Sequence, residues 1–358
     1  MGERATLRDI ANRAGVSLTT VSQTLNHKGA ISESTRHKVM TAADQLGYRQ
    51  RVLFAPRVKG RISRLTMLIK RDPDEKVPNP FHYYVMKGIE AQCRQLELEL
   101  RFSSIAVDEN SRVLELPSAT SLRSTDGFLI VGAVVEDGKT FLDRLGDRPV
   151  VFINGYLRGA YYDRICVDNL SGAYDATVYL LKQGHTRIGF VGGGKQVHPS
   201  LNERREGFLK ALEDAEPETY APYCADSIVL TPEYAADAAQ ALLEAHPDIT
   251  ALFGASDNVA IGIYRAAGHL GFHVPRQLSV MGFDNIPRVE HLTPPLSTMN
   301  IDKAYLGAAA VRHLYDASSQ PDRPNVTTLI RPELVVRQSV SAPFAVGSGA
   351  AAKGGVMT

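Results

Sequence analysis

Cysteine is scarce in this 358-residue chain: Cys93, Cys166 and Cys224 are odd in number and lack CxxC spacing, which argues against a disulfide framework and a cysteine-rich zinc site. A reducing compartment suits them. No run approaches the roughly 18 apolar residues that span a bilayer, and residues 1–15 carry no continuous apolar region of the kind a secretory signal has. The expected location is therefore the cytoplasm, with no membrane partner. Catalytic patterns are missing as well. No GxSxG elbow occurs. His269 and His273 are four apart, but Gly271 lies between them and no Glu follows the first, so they do not make a zinc helix. Gly189 to Lys195 spells GxxxxGK, yet Gln196 follows where Ser or Thr would hold Mg²⁺, and a glycine-rich strand-to-helix turn is the simpler reading. No enzyme, cofactor or metal is expected.

An excess of one charge is also missing from the whole, since 40 Lys/Arg meet 39 Asp/Glu. The distribution is uneven. Residues 1–61 hold eleven Lys/Arg against four Asp/Glu, a surplus of +7, while the remainder holds 29 against 35. A basic head on an acidic body is the footprint of a nucleic-acid-binding module joined to something that binds no nucleic acid. The head reads as three short helices. Thr6 with Asp9 makes a capping box, followed by Leu7, Ile10, Ala11 and Ala14 at helical spacing. Gly15 stops that helix in the left-handed conformation. Ser17 caps a second helix carrying Thr20, Val21 and Leu25, and Ser32 a third with Val39, Ala43 and Leu46 on one face. This is the helix-turn-helix plan, with Ala11, Val16 and Val21 packing inward and Ser17, Leu18, Thr19 and Gln23 facing the major groove.

From Leu65 the period changes. Strand-length apolar runs at 65–69, 128–131, 150–153, 188–191, 251–253 and 278–281 alternate with helical stretches at 83–98, 170–183, 201–213, 233–245 and 257–270. Such alternation builds parallel sheets flanked by helices, and about 270 residues is too long for one layer, so two α/β lobes are expected with ligand space at the carboxyl ends of the strands.

Particular residues then carry a resemblance. The run Thr6 to Ala11, Ala14 to Ser17, Thr20 to Ser22, Asn26, Thr35-Arg36 and Leu46 to Tyr48 resembles the DNA-binding head of the lactose/galactose repressor (LacI/GalR) family. The body agrees in order and approximate spacing: Asn79 to Phe81, Gly88 to Glu90, Asp126-Gly127, Val167 to Asn169, Gly184-His185, Arg204 to Phe208, Asp257, Gly282 to Asn285 and Pro294 to Leu296. The resemblance covers residues 6 to about 340. It implies an all-α helix-turn-helix head (1–49), a hinge (50–63) and a periplasmic-binding-protein-like core of two lobes (64–340). One lobe is expected at about 64–160 plus 292–322, the other at about 161–291 plus 323–340. Residues 341–358, Gly/Ala-rich and aperiodic, read as a disordered tail.

The resemblance also assigns roles. DNA contacts fall on Thr6, Ser17, Leu18, Thr19, Thr20, Ser22, Gln23, Asn26, Arg36, Lys38, Arg51 and Arg57. Effector contacts fall on Phe81, His82, Asn154, Arg204, Ser256 and Asp284, where an Arg fork and a carboxylate suit a polyhydroxylated ligand. The plain alternatives are a loop-capping role for Asp284 and an ion pair for Arg204. Leu230 stands where many relatives carry an aromatic residue, which disfavours a flat purine-like ligand. The hinge departs from the family: Gln50-Arg51 replaces Pro-Asn, Pro56 stands beside the usual minor-groove leucine position and Arg57 occupies it. The linker is then either an arginine-inserting arm or a basic tether. The reading is a homodimeric repressor on a pseudo-palindromic double-stranded operator, switched by a small polar effector, a sugar or its derivative. The alternatives are a ligand-binding protein with a vestigial head, or an enzyme using the cleft.

Overall fold

The computed structural model describes residues 6–25, 31–45, 62–70, 80–107, 112–118, 122, 124–195, 197–215, 221–227, 231–320 and 322–343. The head consists of α1 (Leu7–Ala14), α2 (Leu18–Leu25) and α3 (Glu33–Gln45). Thr6 accepts from the Asp9 N–H while the Asp9 carboxylate accepts from the Thr6 N–H at 2.7 Å, the reciprocal box its spacing predicts. Gly15 ends α1 at φ 67°, where a side chain would be strained. Ile10, Ala11, Val21, Val39 and Ala42 close a small core, with Val16 packed against it. The Ala43 side chain and Leu46 lie outside the described residues.

The first lobe is built on β1 (Arg64–Lys70), α4 (Pro80–Gln95), β2 (Glu99–Val107), β3 (Val113–Glu115), β4 (Gly127–Val131), the short β5 (Val134–Val135), α5 (Gly138–Leu145), β6 (Val150–Ile153), the short β7 (Tyr156–Leu157) and β8 (Asp163–Val167). The chain then forms α6 (Asn169–Lys182), β9 (Arg187–Val191), α7 (Pro199–Ala215), β10 (Ala221–Ala225), α8 (Pro232–Ala245), β11 (Ala251–Gly254), α9 (Asp257–Leu270), β12 (Ser279–Asp284), a 3₁₀ turn at Pro287–His291 and β13 (Ser297–Asn300). Last come α10 (Lys303–Ser318), β14 (Thr327–Ile330) and β15 (Glu333–Val335).

The longer strands make two sheets, and the short β5 and β7 pair with each other in a third. Of the larger two, one runs β14-β8-β6-β4-β1-β2-β3, the other β10-β9-β11-β12-β13-β15. Within each, the pairs are parallel except β2–β3 and β13–β15. Central strands such as β4 are buried at every position, because helices cover both faces and leave no polar side.

The lobe boundaries differ from expectation. β8 and β14 join the first sheet and β13 joins the second, so 161–167 and 323–330 belong with the first lobe and 292–300 with the second. The chain crosses between lobes after β8, after β13 and after β14. Ile62 and Ser63, placed in the hinge by sequence, are already part of the first lobe: Ile62 joins its core and the Ser63 N–H donates to Asp126 at 2.9 Å. At the other end Ser341, assigned to the tail, has its carbonyl 2.9 Å from His185 Nε2 and its N–H donating to Ser279 Oγ at 3.1 Å. The rest of the hinge and residues 344–358 lie outside the described residues.

Helices pair through glycine. A Cβ on Gly88 of α4 would lie 1.9 Å from the Ala304 carbonyl of α10, and one on Gly307 would lie 2.2 Å from the Val85 carbonyl. The α6–α7 pair repeats the device at Gly207 against the Leu170 carbonyl, 2.2 Å.

Candidate functional site

On the head, several expected contacts are already engaged within the fold. Ser17 Oγ accepts the Thr20 N–H at 3.0 Å and lies 2.8 Å from the Thr20 hydroxyl, satisfying an otherwise orphaned donor at the start of α2. The Thr6 hydroxyl donates to Asp9 at 2.6 Å. Leu18, Thr19 and Gln23 are left exposed, Leu18 by 47%. Thr19 and Gln23, four apart, share one face of α2. Lys38 is exposed on α3 and Arg36 is half-buried. Arg13 donates twice to Gln45, at 3.3 and 3.2 Å, fastening α1 to α3 beneath that surface. The Ser22 side chain, Asn26, Arg51 and Arg57 lie outside the described residues.

Between the lobes lies a cleft of about 900 Å³, with Lys70, Glu136 and Arg158 on one side and His198, Asn202 and Glu203 on the other. It opens where strands end: Lys70 closes β1, and His198 leads from β9 into α7. That is where a parallel sheet leaves room for ligand.

None of the six expected effector residues forms the wall of this cleft. They stand behind it. Phe81 is 7% exposed and packs in the first lobe's core, edge-on to His82 at 6.0 Å. His82 lies under Gly132, so close that a Cβ there would meet its Nε2 at 2.5 Å. Ser256 caps α9, accepting the Val259 N–H at 3.3 Å. Arg204, 3% exposed, donates from Nε to Asn169 Oδ1 at 2.9 Å and from Nη1 to the Ala255 carbonyl at 2.7 Å, and its Nη2 lies 3.0 Å from Asp284 Oδ1. Its plane stacks on Phe283 at 3.8 Å. Every arm of the fork is engaged inside the second lobe, which is why it does not reach the cavity.

Behind this arginine sits a buried charged cluster. Asp284, at φ 113°, has its pKa raised by burial against the opposing pull of Arg204 and Lys303. Asp257 is raised likewise by burial, then by Asp284, and accepts from the Thr298 hydroxyl at 2.6 Å and the Ile286 N–H at 2.7 Å. Lys303, at the start of α10, donates to the carbonyls of Asp284, Asn285 and Ile301. It ties the first lobe's helix to the second lobe's loop.

Residues that sequence reasoning passed over bring the polar groups to the cavity. His198 is in the wall; burial holds its pKa down at about 3, so the ring is neutral, and Nδ1 lies 2.7 Å from Ser200 Oγ. Its Nε2 has no hydrogen-bond partner among the described residues. The Tyr156 ring meets His198 edge-on at 5.1 Å, and the Tyr156 hydroxyl and Asn154 Oδ1 are also buried without partners among the described residues. Glu203 accepts from Asn169 at 2.9 Å, so Asn169 joins the wall to Arg204. The signal available in sequence was adjacency: Tyr156 is two residues past Asn154, and Glu203 precedes Arg204.

The glycine turn is no phosphate cradle. Gly192, Gly193 and Gly194 have φ of 124°, 75° and 119°, and the Gly194 N–H donates to Asn202 Oδ1 at 3.0 Å. Helix α7 starts only at Pro199. Gly271, at φ 75°, ends α9 between His269 and His273, and no group of three metal-ligating side chains occurs among the described residues. No described helix is long and apolar enough to cross a membrane.

Residues 6–50 match the model for bacterial regulatory proteins of the lacI family, and residues 177–340 that for a periplasmic binding protein-like domain. The HTH-type transcriptional regulator reg1 of Streptomyces lividans is 31% identical over 345 residues, covering 94% of this chain and 97% of that one. The chain belongs to the LacI family. Two solved structures share its fold: a transcriptional regulator CelR–cellobiose complex (TM-score 0.65, 23% identity, 94% of this chain and 100% of that one) and the lac repressor dimer bound to operator and the anti-inducer ONPF (TM-score 0.65, 22% identity, 95% and 100%). The family's members are transcriptional regulators rather than enzymes, and the core takes their two-lobed form.

Proposed function

We propose that this LacI-family regulator represses transcription as a cytoplasmic homodimer on a pseudo-palindromic operator, with affinity set by a neutral sugar or related polyol held between the lobes. The observation that carries the ligand half is a cleft of about 900 Å³ with His198 in its wall, whose buried Nε2 has no partner among the described residues; behind it the Tyr156 ring meets His198 at 5.1 Å, and Tyr156 OH and Asn154 Oδ1 are likewise unpartnered there. A buried polar atom without a partner costs about 1–3 kcal/mol, and a polyhydroxylated ligand can both donate and accept there. The relatives bear on this in their own terms: one binds cellobiose and another is a dimer on operator. For DNA, the support is the exposed Leu18, Thr19 and Gln23 on α2 beside the basic head.

The test uses the full-length protein. Selection from random duplex DNA should return a two-fold motif, and binding to it should fall steeply with salt as phosphate contacts release counterions. Calorimetry against neutral sugars should give saturable heat, and the sugar that binds should shift operator affinity by about 1–3 kcal/mol. No salt-dependent binding to any selected duplex would mean that the head is vestigial.

A further inference from the structure

The cleft does not end at its own wall. A second cavity of about 470 Å³ opens beside it, lined by Arg112, Glu136, Asp137, Thr140, Phe141 and Arg144. Arg112 and Glu136 belong to both cavities, so they stand at a shared threshold rather than between separate sites. Ligand clefts for small molecules run about 300–1,000 Å³. The main cleft alone lies near the top of that range, and the side compartment is itself large enough for a further ring.

The lining of the side compartment has the chemistry of a saccharide subsite. Arg144 and Asp137 offer fixed donors and acceptors at the two ends of α5, and the exposed Thr140 hydroxyl lies between them along the helix. The frame is held independently of any ligand: Asp137 caps α5 by accepting the Thr140 N–H at 3.2 Å, and Arg144 Nη1 donates to the Val113 carbonyl at 3.4 Å. Phe141 is buried beneath, 2% exposed, and fixes the helix against the first lobe's second core cluster. At the threshold Glu136 lies 3.5 Å from Arg158, a mixed-charge gate that can bond hydroxyls on either side of a glycosidic linkage.

We infer that the effector is an oligosaccharide of at least two rings, one seated against His198 and Glu203 in the main cleft and the next in the compartment along α5. This rests on the sugar reading proposed above.

Calorimetry on the full-length protein tests it, with cellobiose, maltose, lactose, melibiose, trehalose and sucrose as probes beside glucose, galactose and fructose. At least one disaccharide should bind tenfold or more tighter than its own monosaccharides. Thr140→Trp, on an exposed helical position, fills the side compartment and should erase that advantage while the monosaccharide affinity moves less than twofold. Arg144→Ala should lower disaccharide affinity about fivefold with the same sparing of the monosaccharide. Equal affinity for a disaccharide and its best monosaccharide, or a disaccharide advantage that survives Thr140→Trp, overturns the two-ring inference and leaves the sugar reading standing. No heat with any of the sugars overturns both.

Discussion

Gln23 presents an exposed amide that can donate to and accept from one adenine in the major groove, and such a pair discriminates by about 1–3 kcal/mol. Gln23→Ala should therefore relax preference at one position per half-site, whereas Lys38→Ala should weaken all sequences alike; selection on random DNA separates the two, and an unchanged motif for Gln23→Ala would refute the contact. Arg204 belongs to a different kind of residue. Its three nitrogens serve Asn169, Ala255 and Asp284, so removing it strands a buried carboxylate, and Arg204→Ala should cost about 3–5 kcal/mol in urea unfolding. Adding Asp284→Asn should recover part of that loss, since the two side chains act as a unit. Burial holds His82 down at about 4 and His198 at about 3, both below their unfolded value of 6.5. Each contributes fully above pH 6.5 and loses its contribution as the pH falls toward the folded value, because the unfolded chain then binds the proton that the folded one refuses. The loss is at most about 1.4 kcal/mol per pH unit for each ring. Melting temperature should drop between pH 6.5 and 4, and the slope should flatten in His82→Gln and His198→Gln; an identical slope in both variants would refute the assignment.

At the scale of elements, the glycine contacts make a sharp test. With Gly88 Cβ placed 1.9 Å from a backbone carbonyl of α10, Gly88→Ala must push two helices apart and should cost about 1–3 kcal/mol, read by thermal melting of the first lobe. Wild-type stability in that variant would mean that the helices part without strain. The elements legible in sequence were those whose pattern is unmixed. The apolar runs of β4, β6 and β9 and the helices α8 and α9 were placed within a few residues, because full burial leaves no polar interruptions and the helices show clear spacing. β2 was not seen, since it alternates charged and apolar residues on a partly exposed face. α10 was not seen either: its buried face mixes Leu306, Val311 and Leu314 with Lys303, Gly307, Ala310 and Ala317, and the small and charged members dilute its hydrophobic stripe. The site followed the same rule. Asp284 and Arg204 were found by motif, yet their engagement with each other depends on contacts 80 residues apart that no local pattern encodes. His198 and Tyr156 were passed over because a lone ring beside a loop looks like ordinary packing until the partnerless atoms are seen together.

For the molecule as a whole, two heads must reach half-sites on the same side of a duplex, about one helical turn apart or a multiple of it. Light scattering should give a dimer, since the residues after Ser341 carry few large apolar side chains for a further helical assembly. A tetramer that reverts to a dimer on removing residues 344–358 would contradict this. A chain ending at Val340 should melt below one ending at Pro343, because the shorter chain loses the Ser341 carbonyl and N–H held by His185 and Ser279. The interleaved lobes carry a consequence for synthesis. The first sheet lacks its edge strand until Thr327–Ile330 has left the ribosome, and the second lacks its own until Glu333–Val335 follows. The head, matched by the lacI family model over residues 6–50, emerges far earlier, and domains fold as units in the order they are made. A ribosome that stalls and releases its chain before Thr327 therefore frees a DNA-reading head while both sheets still lack their last strand. Chains truncated before Thr327 should compete for half-sites yet ignore the effector.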